Sequence, residues 1–211
     1  SNLRSNSSII SRAGLAVLHL DWGYAFFFPH RRGYGQSPGL SIAEAIPATL
    51  GSDAYDQQIV NRLDYELEDV LAAVSAMRAR SEIDSVRIAV SGSSRGGILS
   101  LLAAAEDNNL RTAINFCGGA RQWADHARLR KKILEAACDV SQPVFLAQAA
   151  NDFNPAATLE LAEELTRQGK DHKCRVYPPW GFNTAEAHMF EINGSAIWGS
   201  DVQQFLDVVM K

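Results

Sequence analysis

Cysteine is scarce and scattered, with only Cys117, Cys138 and Cys174 in 211 residues. The number is odd and no two form a CxxC pair, which argues against a disulfide framework or a zinc site and fits a reducing compartment. His19, His30, His126 and His172 have no metal-ligand spacing with one another or with the cysteines, so no metal is expected. No apolar run approaches the ~20 residues of a membrane span. Residues 1–8 are polar, without the apolar segment of a signal peptide. A basic surplus is also missing: 20 Lys+Arg against 24 Asp+Glu give a formal charge of −4, unfavourable for nucleic acid or an anionic membrane surface. Gly33 and Gly35 open no helix as a dinucleotide fingerprint would, so no cofactor is expected. These absences describe a cytoplasmic protein with neither a nucleic-acid nor a membrane partner.

What is present is an ordinary globular balance, 46% hydrophobic and 21% charged residues. One domain over residues 1–211 is expected, with 1–8 as a flexible lead-in. Residues 9–21 read as a helix with Gly23 as its C-cap, or as a strand over 15–20; the helix is preferred. The aromatic run 24–28, closed by Pro29, reads as a buried strand, and 30–39 as a glycine-rich loop. Over 56–80, Ile59, Val60, Leu63, Leu67, Val70, Leu71, Val74 and Met77 recur at helical steps. Glu66 and Asp69 on that helix read as surface charges.

Further strands are expected at 86–90, 112–117, 144–149 and 174–177. Helices are expected at 98–105, 121–137, 156–168 and 195–210, and a loop at 181–194. Short apolar strands alternating with amphipathic helices predict an α/β, doubly wound, mostly parallel sheet. Reactive groups then belong beyond the carboxyl ends of the strands.

Three strand ends carry such groups. Gly92-Ser93-Ser94-Arg95-Gly96 fits G-x-S-x-G with Ser94 at its centre, between a strand and a helix. That turn exposes a nucleophile and leaves the Arg95 N–H facing a developing oxyanion. Asp152 follows the strand at 144–149 and is placed to orient a histidine; alternatively it caps the next helix. His188 is the only histidine in a loop after the last strand, and a serine hydroxyl needs such a base. The chain order Ser94, Asp152, His188 is that of α/β-hydrolases.

On these residues the sequence resembles the α/β-hydrolase superfamily, most closely its dienelactone-hydrolase and prolyl-oligopeptidase-like branch, from about Trp22 to the end. The stretch from Gly23 to Ser37, with Arg32-Gly33-Tyr34-Gly35-Gln36-Ser37, is similar to that family's strand and R-G-x-G-x-S loop. The resemblance implies an acyl-enzyme mechanism with Ser94 as nucleophile, His188 as base then acid, and Asp152 as its orienter. Dienelactone hydrolases have cysteine at the elbow; serine here means that the dienelactone substrate is not implied. Members place two or three strands and a His-Gly oxyanion loop ahead of the segment matching 24–28, whereas 23 residues precede it here, and Leu20 follows His19 where glycine is expected. The expectation is thus a shortened hydrolase sheet in which the Arg95 N–H lacks its usual partner. An open sheet edge would favour a homodimer.

The leading reading is a serine hydrolase of small or medium carboxylic esters. A prolyl-oligopeptidase-like peptidase, and a weakened remnant acting through binding or dimerisation, are the alternatives. Residues 119–139, with Arg121, Arg128, Arg130, Lys131 and Lys132, read as a small lid or as a solvated helix face. Arg31 and Arg32 read as solvated or backbone-bonding rather than substrate-holding. His30 reads as packing or capping. Trp180, Phe182 and Met189 read equally as pocket wall or core.

Overall fold

Each crossover adds its strand beside the one before it, and this brings the loops that follow the strands to one end of the sheet. The computed structural model describes residues 7–211, with side chains from Arg12 onward. The strands are β1 (Ala89–Ser93), β2 (Thr112–Phe116), β3 (Val144–Ala149) and β4 (His172–Tyr177), all parallel in the order β1-β2-β3-β4. β2 and β3 are buried at every position, as a strand covered on both faces requires. Between strands run α4 (Arg95–Glu106), α5 (Ala127–Asp139) and α6 (Ala156–Arg167). They pack on one another and on α3 (Asp53–Arg78), which follows the one-turn α2 (Ile42–Ala45), forming one helical layer.

The other face is covered by α9 (Ser195–Val209), whose Trp198 meets Phe116 and whose Phe205 meets Phe145. Trp22, just past α1 (Ser7–Asp21), packs edge-on against Trp198. Helices on both faces of a parallel sheet make this an α/β, doubly wound fold. Its core includes Leu63, Leu101, Ile133 and Phe145, all essentially inaccessible to solvent. Burying each such side chain contributes about 1.5–3 kcal/mol. Among the described residues, no helix is long and apolar enough to cross a membrane.

α3 is long because its apolar stripe is long and its ends are defined. Ser52 accepts a hydrogen bond from the Tyr55 N–H at the N-terminus, and Arg78 stands in the last turn. α1 occupies the N-terminal apolar segment as a helix, with Gly23 in the left-handed region (φ 86°) just beyond it. Residues 1–6 of the expected lead-in lie outside the described residues, while Ser7 and Ser8 open α1.

Four expectations are corrected. Residues 24–28 form no strand. A strand needs a ladder partner, and here the run is held by side chains instead. Phe26 stacks near His19 and packs on the core, while Phe27 and Phe28 are exposed. The strand expected at 86–90 begins three residues later. Val86 is solvent-exposed, and pairing starts with Ala89 opposite Thr112. The helix expected from 121 begins at Ala127, after a series of turns. The loop at 181–194 contains two one-turn helices, α7 (Thr184–Ala187) and α8 (Phe190–Asn193).

Candidate active site

The carboxyl ends of β1, β3 and β4 bring Ser94, Asp152 and His188 together. Ser94 follows β1 directly, at φ 55° and ψ −117°, a strained conformation for a residue with a Cβ. The strain is held by the surrounding chain. The Ser94 N–H donates to the Phe116 carbonyl at 2.8 Å, and its own carbonyl accepts from the Ile98 N–H at 3.1 Å. The elbow glycines act as the turn demands. A Cβ on Gly92 would lie 2.4 Å from the Gly96 backbone, and one on Gly97 would lie 2.4 Å from Asn115 Oδ1. Although Ser94 is the N-cap of α4, its side chain makes no cap bond, so its hydroxyl is free for another partner.

That partner is His188, with Nε2 2.8 Å from Ser94 Oγ. On the other side of the ring, Nδ1 lies 2.8 Å from Asp152 Oδ1. Asp152 is nearly fully buried and does not cap α6. Its carboxylate accepts from the Phe153 N–H at 2.6 Å and from Gln148 Nε2 at 3.1 Å. Gln148 is itself fixed by the Thr158 hydroxyl at 2.6 Å. The two supporting loops are tied by a reciprocal pair: Asn151 Nδ2 donates to the Trp180 carbonyl at 2.9 Å, and the Trp180 N–H donates to Asn151 Oδ1 at 2.8 Å. The Phe153 ring stands edge-on to the His188 ring, with centroids 5.2 Å apart. A hydroxyl, an imidazole and a carboxylate in this line can pass a proton away from the oxygen and stabilise the resulting imidazolium. The Arg95 N–H opens α4, where first-turn amides lack intrahelical acceptors and can face an anion.

Cys117, at the end of β2, is a residue that the sequence reading passed over. It is buried at φ 47°, with Sγ 3.6 Å from Ser93 Oγ. Cys117, Asp152 and His188 place potential metal-ligand atoms within 4.8 Å of one another. Burial, reinforced by the Asp152 charge, pushes the titration of the Cys117 thiol up. Glu66 is a correction: it is completely buried, not a surface charge. It receives Arg62 Nε at 3.1 Å and a close bond from Arg95 Nε, and Arg31 stands 3.6 Å away. The signal was present, since position 66 falls on the same helical stripe as Ile59, Leu63 and Val70.

Other expectations fare differently. Arg31 lines the cleft beside Ser94, about 170 Å³ in volume, while Arg32 grips Asp69 through two 2.6 Å bonds. Residues 119–139 supply Arg121 and Gln122 to that cleft from a turn, and α5 then packs into the helical layer. His30 packs against Phe28. Phe182 is almost fully exposed, Met189 is exposed, and Trp180 packs on Phe190. His19 belongs to α1 and bonds the Leu15 carbonyl at 2.7 Å, so the segment compared with an oxyanion loop is helical.

Solved structures share this fold. An esterase of Pyrococcus furiosus superposes with a TM-score of 0.66 at 17% identity, over 93% of this chain and 75% of that one. An acetyl xylan esterase from a Paenibacillus species gives 0.57 at 16% identity, over 84% and 63%. An acylaminoacyl peptidase of Pyrococcus horikoshii gives 0.55 at 18% identity, over 67% and 26%. The chain spans 22% to 28% of the length of three of the peptidases it matches. At these identities the likeness is one of fold. No curated protein sequence matches at a significant level. The profile of the dienelactone hydrolase family matches residues 20–200. With that match over most of its length, and with an α/β-hydrolase fold, the chain belongs to the dienelactone hydrolase family.

Proposed function

We propose that the chain is a serine hydrolase that cleaves small or medium carboxylic esters through an acyl-enzyme intermediate. The observation that carries this reading is the pair of 2.8 Å contacts joining Ser94, His188 and Asp152. In the first half-reaction, Ser94 Oγ bonds to the acyl carbon and its proton passes to His188 Nε2. Asp152 holds Nδ1–H and stabilises the imidazolium. The tetrahedral oxyanion faces the Arg95 N–H at the start of α4, and such a donor contributes about 2.7–4 kcal/mol to the transition state. Collapse breaks the C–O bond, and the imidazolium returns its proton to the departing alcohol. Water then repeats the sequence and releases the acid.

The strained Ser94 backbone supports this assignment, because such conformations persist where the surrounding structure enforces them. Turnover of 4-nitrophenyl butyrate and covalent labelling by a fluorophosphonate are the expected activities. Ser94→Ala should abolish both, with turnover falling about 10⁴-fold or more. A variant retaining a tenth of the activity would refute the assignment of the nucleophile. A peptidase is the second reading, favoured by the fold shared with acylaminoacyl peptidases. Hydrolysis of chromogenic peptide amides with little action on esters would select it.

A further inference from the structure

His188 stands at the C-cap of α7 and just ahead of α8, so it joins two helices of one turn each. A single turn has no stability of its own, because nucleating a helix is unfavourable. Contacts from other elements must therefore hold the imidazole in line. The reciprocal bonds between Asn151 and Trp180 hold the chain ahead of α7. Beyond His188, the Trp198 indole N–H of α9 donates to the carbonyls of Phe190 and Glu191, at 3.1 Å each.

The Glu191 side chain makes a different kind of contact. It is buried, and among the described residues its carboxylate has one ion-pair partner, the Arg12 guanidinium of α1. The two are in close contact although 179 positions separate them. Among the described residues α1 packs chiefly on α8, so the pair joins α1 to the element it touches most. Burial raises the titration of the Glu191 carboxyl, and the Arg12 charge opposes that rise. A buried carboxylate that loses its cation is left charged and unmatched, which is strongly unfavourable. Glu191 also reaches the triad's surroundings. The Cys117 thiol lies 3.9 Å from the His188 carbonyl, and its titration is raised by burial, then by Asp152 and, more weakly, by Glu191. Neither Arg12 nor Glu191 lines the cleft on which Ser94 opens.

We propose that Arg12 and Glu191 are positioning residues for His188: their buried ion pair clasps α1 onto α8 and so holds the imidazole in line with Ser94 and Asp152. Without Arg12, the Glu191 carboxyl takes up a proton or turns toward water, α8 shifts with it, and His188 leaves its place. This inference rests on the serine hydrolase reading and deepens it, because alignment of the triad then depends on the docking of α1.

The test measures hydrolysis of 4-nitrophenyl butyrate by Arg12→Met, which keeps most of the bulk and removes the charge, and by Glu191→Gln. Each should lower kcat about 10–100-fold, because a misplaced base is costly, while KM stays within about twofold of wild type. The double variant should lose no more than either single one, since both remove the same contact. Arg12→Lys, which keeps the charge, should restore most of the kcat. Proton NMR gives a second reading independent of turnover. The Nδ1–H of His188, held by Asp152, resonates far downfield of the amides in wild type, and Arg12→Met should broaden or abolish that signal well below its Tm. A folded Arg12→Met with wild-type kcat would overturn the proposal whatever its Tm, because the pair would then only stabilise the fold. A raised KM at unchanged kcat would also overturn it, by placing the pair in substrate binding. Should the lone buried carboxylate keep Arg12→Met from folding, the double variant, which has no charge buried there, takes its place. If wild-type protein neither turned over the ester nor took the fluorophosphonate, the hydrolase reading itself would fail. The NMR signal would then decide the clasp alone: its loss in Arg12→Met supports it, and its persistence overturns it.

Discussion

Replacing Glu66 by glutamine removes the one negative charge from a place where three guanidiniums converge. Arg62 lies at 3.1 Å, Arg31 at 3.6 Å, and Arg95 closer still. The Glu66 side chain is 0% exposed, and those of Arg62 and Arg95 are 10% and 12% exposed, so solvent screens little of the loss. Arg31, one-third exposed, is partly screened and adds less. Removing one partner of a buried ion pair costs about 3–5 kcal/mol, because the other partner is left charged and unmatched. Glutamine keeps the shape and one carbonyl acceptor, which points to the lower end, about 3 kcal/mol. For a chain of this size each kcal/mol moves Tm by about 2–4 °C, so thermal unfolding should fall by about 6–12 °C. Circular-dichroism melts measure this, and urea unfolding should show a lower midpoint at an unchanged m value. Raising NaCl to about 0.5 M should not close the gap, since salt screens buried pairs weakly. A Tm within about 2 °C of wild type would refute the reasoning, showing that the three arginines tolerate an uncharged neighbour.

Two further outcomes follow from the site. Asp152→Asn should cut ester turnover by about 10³–10⁴-fold, because the amide no longer fixes the Nδ1–H tautomer of His188, and Tm should be nearly unchanged. A loss below tenfold would move the acid role elsewhere. Cys117 should resist iodoacetamide in the native protein, since burial both covers the thiol and pushes its titration up, whereas exposed Cys138 should be alkylated. Peptide mass spectrometry reads both sites, and native-state modification of Cys117 at the rate of Cys138 would contradict its placement.

Local pattern carried most of the element assignments. Residues 144–149 read as a strand because an unbroken apolar run can be covered on both faces, and β3 occupies those same residues. The glycine spacing around Ser94 was equally legible, because a strand-to-helix elbow needs room at fixed positions. The aromatic run at 24–28 misled for a related reason. Its composition suits a strand, but strand formation depends on a neighbour in the ladder, which no local pattern specifies. Glu66 misled because charge was weighed above its place on the apolar stripe of α3. Of the three arginines around it, Arg62 lies one turn earlier on α3, while Arg31 and Arg95 come from distant parts of the chain.

The amino-acid order alone determined the alternation of strands and helices, the elbow at Ser94, and the succession of serine, acid and histidine. These rest on periodicity, glycine sterics and turn chemistry, all of which act within a few residues. Tertiary structure decided the 2.8 Å contacts of His188, the burial of Cys117, and the gathering of Arg31, Arg95 and Arg121 at one cleft. Those depend on how parallel strands align their carboxyl ends, which sets distances between residues many tens of positions apart.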